Sequence, residues 1–114
     1  MPETRPVGFQ DCETAIALPK DAIADFCTRW KIDEFYLFGS VLRDDFRDDS
    51  DIDVLVTFSP NARWGWEIVS MKEDLENILL RKVDFLTKKS IEESRNWIRQ
   101  KEILSTARLF YVAR

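Results

Sequence analysis

The segment LFGSVLRDDFRDDSDIDVLVTF, residues 37–58, gathers the side chains that could do chemistry. Asp51 and Asp53 stand two apart at the head of an apolar alternation, Ile52, Val54, Val56 and Phe58, which reads as a strand. On a strand, positions i and i+2 share one face about 6.6–6.8 Å apart. Two carboxylates therefore project together from a segment that otherwise favours burial. Such a pair suits Mg²⁺, which takes a few carboxylates, water and substrate phosphates rather than an all-protein cage. Ions held this way stabilise the attacking and leaving oxygens of an in-line displacement. Just upstream, Gly39 and Ser40 end another apolar run. A glycine lets backbone N–H groups approach a phosphate closely, and a serine at a helix start adds a hydroxyl where anions are favoured. Asp84, between Val83 and Phe85, is a third carboxylate in a strand-like context.

Other readings of the acidic cluster fit less of it. A solvated loop accounts for Asp44, Asp45, Asp48 and Asp49 but not for Asp51 and Asp53. A calcium loop would need Gly where Val54 stands and Glu where Pro60 stands. A Walker-type loop needs several glycines and a lysine, and this one has a single glycine and no lysine. The chain has no histidine, which excludes Ser-His-Asp and Cys-His catalysis and His-ligated metals. Cys12 and Cys27 form no C-x-x-C pair, and Cys27 falls on the apolar side of a predicted helix as a buried thiol. A net charge of -4 argues against direct binding to a nucleic-acid backbone. No apolar run of about 18 residues exists to span a membrane, and a cytoplasmic protein is expected.

The elements that must position these residues follow from periodicity. A length of 114 residues fits one domain. Residues 1–18 read as an N-terminal tail and 19–114 as the domain. Pro19 opens a helix over 19–31 carrying Ile23, Phe26, Cys27 and Trp30. A strand over 34–38 follows, then a short helix over 41–46 capped by Ser40, and the strand over 52–58. Trp64 and Trp66 lie in a loop that they are expected to pin onto the core. A helix over 66–80 and a strand over 82–87 come next. Ser90 with Glu93 reads as a capping box that opens a helix to 112, with Trp97, Leu104, Ala107 and Tyr111 near one face. The apolar run LFYV, residues 109–112, would then be partly exposed or covered by a partner. The expected class is α/β (α+β), a small mixed sheet with flanking helices. With the first two strands antiparallel and the third parallel to the second, Gly39, Ser40, Asp51, Asp53 and Asp84 meet at one sheet edge.

Gly39-Ser40, ten intervening residues and Asp51-x-Asp53 resemble the G-S-x10-D-x-D pattern of the polymerase-beta-like nucleotidyltransferase superfamily. From about residue 20 onward the chain looks like its small form, the minimal nucleotidyltransferase (MNT) domain. Arg43 and Ser50 match common positions of that pattern, and KVDFLT resembles the segment that carries the family's third carboxylate. The resemblance implies a Mg²⁺-dependent enzyme that transfers AMP from ATP to a hydroxyl and releases pyrophosphate. Asp51, Asp53 and Asp84 would ligate metal, and Asp84 would help deprotonate the acceptor. Gly39 and Ser40 would hold phosphates, with Arg43 beside them. It further implies an antitoxin whose partner is a HEPN toxin, silenced by adenylylation of a tyrosine. The alternative is a non-catalytic antitoxin that neutralises by binding alone. Transfer to a small molecule such as an aminoglycoside is a third reading, disfavoured because one short domain offers little surface to enclose it. Family members often carry Gly after the Arg43 position, whereas this chain has Asp44, which bears on the loop's shape and its phosphate grip.

Overall fold

The computed structural model describes residues 7–113. Its backbone elements are β1 (Gly8–Phe9), α1 (Lys20–Arg29), β2 (Ile32–Phe38), a 3-10 turn (Gly39–Leu42), β3 (Ile52–Phe58), α2 (Glu67–Leu79), β4 (Val83–Thr87), α3 (Lys88–Glu92), α4 (Trp97–Thr106) and β5 (Arg108–Val112). The strands form one sheet in the order β1-β5-β2-β3-β4. β2 runs antiparallel to β3 and to β5, whereas β3 and β4 are parallel, joined through α2 as a crossover.

Alternation on the central strands explains why helices cover both sheet faces. Ile52, Val54 and Val56 are wholly buried on one face, packed with Phe26 of α1 and with Met71 and Leu75 of α2. Leu55 points the other way into a smaller core with Phe38, Ile91 and Ile103, supplied by α3 and α4. The face that carries Asp53 is therefore also covered. Cys27 is buried in the larger core, and burial pushes its thiol up to about 12, which leaves it unreactive. Arg29 and the Trp30 indole N–H both donate to Asp74 Oδ2, tying the end of α1 to α2.

Three sequence expectations are corrected. Ser40 does not cap a helix over 41–46; a single 3-10 turn forms there, without a side-chain cap. The long helix from 90 to 112 does not exist. Thr87, not Ser90, caps α3, its hydroxyl accepting the Ser90 N–H at 3.1 Å. The chain then breaks at Ser94–Asn96, and Asn96 caps α4 by accepting the Arg99 N–H. Finally, LFYV is strand, not exposed helix end. Its aromatic and β-branched residues suit a pleated, half-buried surface, and Phe110 and Val112 are 3% and 0% exposed between β2 and β1. The helical face assigned to Trp97 and Leu104 is accordingly not the core; Ile103 is.

Within the expected tail, residues 1–6 lie outside the described residues, while Phe9, Cys12, Ile16 and Leu18 pack on the core. Trp64 pins its loop as expected, donating its indole N–H to the Trp30 carbonyl at 3.0 Å and meeting the Trp30 ring edge-on. Trp66 does not, being 79% exposed. Among the described residues, no helix is long and apolar enough to cross a membrane.

α2 ends on Leu80, which adopts the left-handed conformation at φ 57° with its side chain in solvent. A side chain there costs about 1 kcal/mol relative to glycine. Leu80→Gly should therefore stabilise the chain by roughly 0.5–1 kcal/mol, because it loses no packing. Urea unfolding would show this as a higher midpoint with an unchanged slope.

Candidate active site

Asp53 and Asp84 are register partners on the parallel strands β3 and β4, so their carboxylates share one face of adjacent strands. Phe38 pairs with Asp53 from the other side, which puts Gly39 directly above that carboxylate. Gly39 has φ +76°, and a Cβ there would run into Asp53 Oδ2. The glycine thus gives Asp53 the space for its side chain, beyond whatever room it leaves for a phosphate.

These residues line a cavity of about 550 Å³ whose walls also include Arg43, Arg99, Thr106 and Arg108. No local pattern in the sequence marks Arg99 as a site residue. It approaches from α4, with its guanidinium 3.5 Å from Asp84 Oδ2. Arg43 is exposed and pairs with Asp45 at 3.1 Å while lining the cavity.

The charge balance falls hardest on Asp53. Burial, followed by the neighbouring Asp84 and Asp51 carboxylates, pushes it up to about 6, against the opposing fields of Arg43 and Arg99. A half-buried carboxylate held in that state calls for a cation.

Asp51 stands at the head of β3, as the strand expected over 52–58 requires. It precedes β3, is exposed, and does not line the cavity, although its charge reaches Asp53. Ser40 likewise lies outside the lining, on the turn that follows Gly39. Asp44, Asp45, Asp48 and Asp49 are exposed, as a solvated loop requires. Among the described residues, no three His, Cys, Asp or Glu side chains form a ready metal cage. The donor set nonetheless fits Mg²⁺, which is ordinarily held by one or two carboxylates together with substrate phosphates.

The loop from Arg43 to Asp51 is anchored by Arg81. Its Nη1 donates to the carbonyls of Arg47, Asp48 and Ser50 at 3.0–3.1 Å, and its guanidinium lies over the Phe46 ring. Ser50 closes the loop by accepting the Arg47 N–H. Arg81→Ala removes the donor shared by three carbonyls. The expected loss is about 1–2 kcal/mol, less than three separate bonds because the site is largely solvated. Faster amide exchange confined to residues 44–51 would check it.

Comparison with known proteins agrees with this geometry. The nucleotidyltransferase domain family model matches residues 20–109. A curated relative from Methanocaldococcus jannaschii, "Putative protein adenylyltransferase MJ1379", is 42% identical over 64 residues, covering 55% of this chain and 64% of that protein. The match thus spans less than two thirds of the relative's length. A solved structure described as "Structure of putative minimal nucleotidyltransferase" superposes with a TM-score of 0.59 at 28% identity, over 77% of this chain and 85% of the other. Another, "Crystal structure of the toxin-antitoxin with AMP-PNP", gives a TM-score of 0.63 at 19% identity over 81% and 72%, a likeness of fold. With a family match across most of its length and the paired carboxylates on its parallel strands, the chain belongs to the nucleotidyltransferase domain family.

Proposed function

We propose that this chain transfers AMP from ATP to a hydroxyl on a partner protein, and that the partner is a HEPN-type toxin which the modification silences, with tyrosine as the acceptor side chain. The observation that carries the reading is the register of Asp53 with Asp84 beneath Gly39. The curated relative described as a protein adenylyltransferase and the toxin-antitoxin structure containing an ATP analogue support it.

In this mechanism Asp53 and Asp84 would hold Mg²⁺, with Asp51 close enough to add its charge. The ion, when bound, neutralises and orients the triphosphate. Phosphate oxygens would lie along the Gly39 backbone, with Arg43 at the rim and Ser40 on the same turn, outside the lining. The acceptor oxygen attacks the α-phosphorus, the bond to the bridging oxygen of the β-phosphate breaks, and pyrophosphate leaves. Asp84 takes the hydroxyl proton. Arg99 balances the charge of Asp84 until substrate arrives.

Neutralisation by contact alone is the competing reading, favoured by the position of Asp51 outside the cavity. A transfer assay separates the two. The chain is purified with the product of the neighbouring gene and given Mg²⁺ and ATP labelled at the α-phosphate. AMP on the partner, lost when Asp51 and Asp53 are both changed to Asn, is the expected result. Tight binding without label from any nucleotide would leave contact alone.

A further inference from the structure

Asp51 is exposed and outside the cavity lining, yet its charge reaches Asp53. Its two neighbours hold its backbone in place. The Ser50 carbonyl accepts from Arg81 Nη1 at 3.0 Å, and the Ile52 N–H donates to the Lys82 carbonyl at 3.0 Å. Two consecutive residues between α2 and β4 therefore grip the residues on either side of Asp51. The same two residues lead into Val83 and Asp84, so one short segment sets the head of β3 against the head of β4.

That segment is itself anchored. The Leu80 N–H donates to the Glu76 carbonyl at 2.8 Å and the Val83 N–H to Glu76 Oε2 at 2.9 Å, so one residue of α2 fixes both ends of the turn. From this base the half-buried Arg81 side chain reaches the loop that precedes Asp51. Its Nη1 has two hydrogens and serves three acceptors, the carbonyls of Arg47, Asp48 and Ser50, which draws them together. The loop has few apolar contacts of its own to hold it. Residues 43–49 are exposed apart from Phe46, over whose ring the Arg81 guanidinium lies, 4.7 Å from the centroid. Ordering an exposed acidic loop adds little to the core. What it fixes is the place of the carboxylate that follows the loop.

We infer that Arg81 is a positioning residue for the metal site, holding Ser50 and the loop before it so that the Asp51 charge bears on the ion that Asp53 and Asp84 would hold. Arg81 acts through the backbone on either side of Asp51 and touches neither substrate nor ion. The inference rests on the transfer reading, since that reading gives the site its ion.

The test is a double-mutant cycle on the full chain, with Arg81→Ala, Asp51→Asn and the two combined. Mn²⁺ stands in for Mg²⁺, and its affinity is read by electron paramagnetic resonance with a non-hydrolysable ATP analogue, independently of transfer. By its field alone, loss of a cation should tighten Mn²⁺ binding. Positioning requires the opposite: each single change should weaken binding by roughly 10-fold, and the double variant should bind no more weakly than Asp51→Asn. Asp74→Ala cuts the ties between α1 and α2, so it should lower the melting temperature with Mn²⁺ affinity kept within twofold, which separates positioning from lost stability. Should Arg81→Ala not fold, Arg81→Met keeps the stem over Phe46 and still lacks the donors. Effects that multiply in the double variant overturn the inference, as does Mn²⁺ affinity within twofold of the parent in either single variant or a parent that binds no Mn²⁺. AMP transfer to the neighbouring gene's product is followed in the same proteins. A coupled cycle with no AMP transferred by the parent upholds the positioning role and removes the transfer reading; transfer with an uncoupled cycle does the reverse.

Discussion

Asp53→Asn should sharply lower the proposed AMP transfer and, in the same protein, raise the melting temperature of the metal-free chain. The two effects share one cause. In the folded chain Asp53 sits near 6 rather than at its ordinary 3.8, held up by burial and by Asp84 and Asp51. The folded state therefore binds more protons than the unfolded state between those values. Stability contributed by the protonated group is complete below 3.8 and is lost as pH rises through about 6. Above that, the charged carboxylate is a net burden. The full shift would correspond to about 3 kcal/mol, and the half-exposed setting reduces this to roughly 1–2 kcal/mol. Asn removes the charge at equal size, so the variant should melt roughly 5 °C higher at about pH 7.5 in chelator, and the gap should close near pH 4. Transfer should fall roughly 100- to 1,000-fold or more, as when a preorganised charge-stabilising group is lost. Added Mg²⁺ should stabilise the parent chain and not the variant. An Asp53→Asn chain that melts below the parent in chelator would show that burial of the charge is not the burden described.

Gly39→Ala is expected to be the most damaging single methyl in the chain. It meets two independent penalties. A non-glycine residue at φ +76° costs about 1–2 kcal/mol, and the new Cβ collides with the Asp53 carboxylate. Together these should cost roughly 2–4 kcal/mol, and transfer should be lost because Asp53 must turn away. A double-mutant cycle separates the parts. In an Asp53→Ala background the carboxylate is gone, and only the backbone penalty should remain. Equal costs in both backgrounds would mean that the carboxylate has an alternative position that the alanine does not disturb.

The sequence was most informative where burial and charge conflict. Asp53 in an otherwise apolar alternation, and Asp84 in the same context, reach one sheet edge once the third strand is taken as parallel to the second; their pairing in register is seen only in the structure. β3 and its antiparallel neighbour were legible as strands. The last third was not. Residues 97, 104, 107 and 111 fit a helical stripe, whereas 110 and 112 fit a strand, and only pairing with β2 and β1 decides between them. Local caps at Thr87 and Asn96 then outweigh the Ser90–Glu93 pattern. Arg99 and Arg81 were invisible because each acts across a distance that no local spacing encodes: Arg99 on Asp84 from another element, Arg81 on loop carbonyls more than thirty positions away. The sequence singles out Gly39 for its approach to a ligand; that it makes room for a neighbouring side chain needs the cross-strand register of Phe38 with Asp53.

The place of β5 has a consequence for how the chain is made. β5 is the final strand in sequence, yet it lies between β1 and β2 in the sheet. Every motif residue from Gly39 to Asp84 therefore leaves the ribosome before the strand that completes the hydrogen bonding of β2. At about 5–20 residues per second, the residues from α3 to the end of β5 take on the order of seconds to appear. During that interval β2 presents a bare, apolar strand edge of the kind that recruits other chains. A partner or chaperone that covers this edge during synthesis would act on the yield of folded protein without touching the site, and chains interrupted before Arg108 would carry the whole motif as an aggregation hazard.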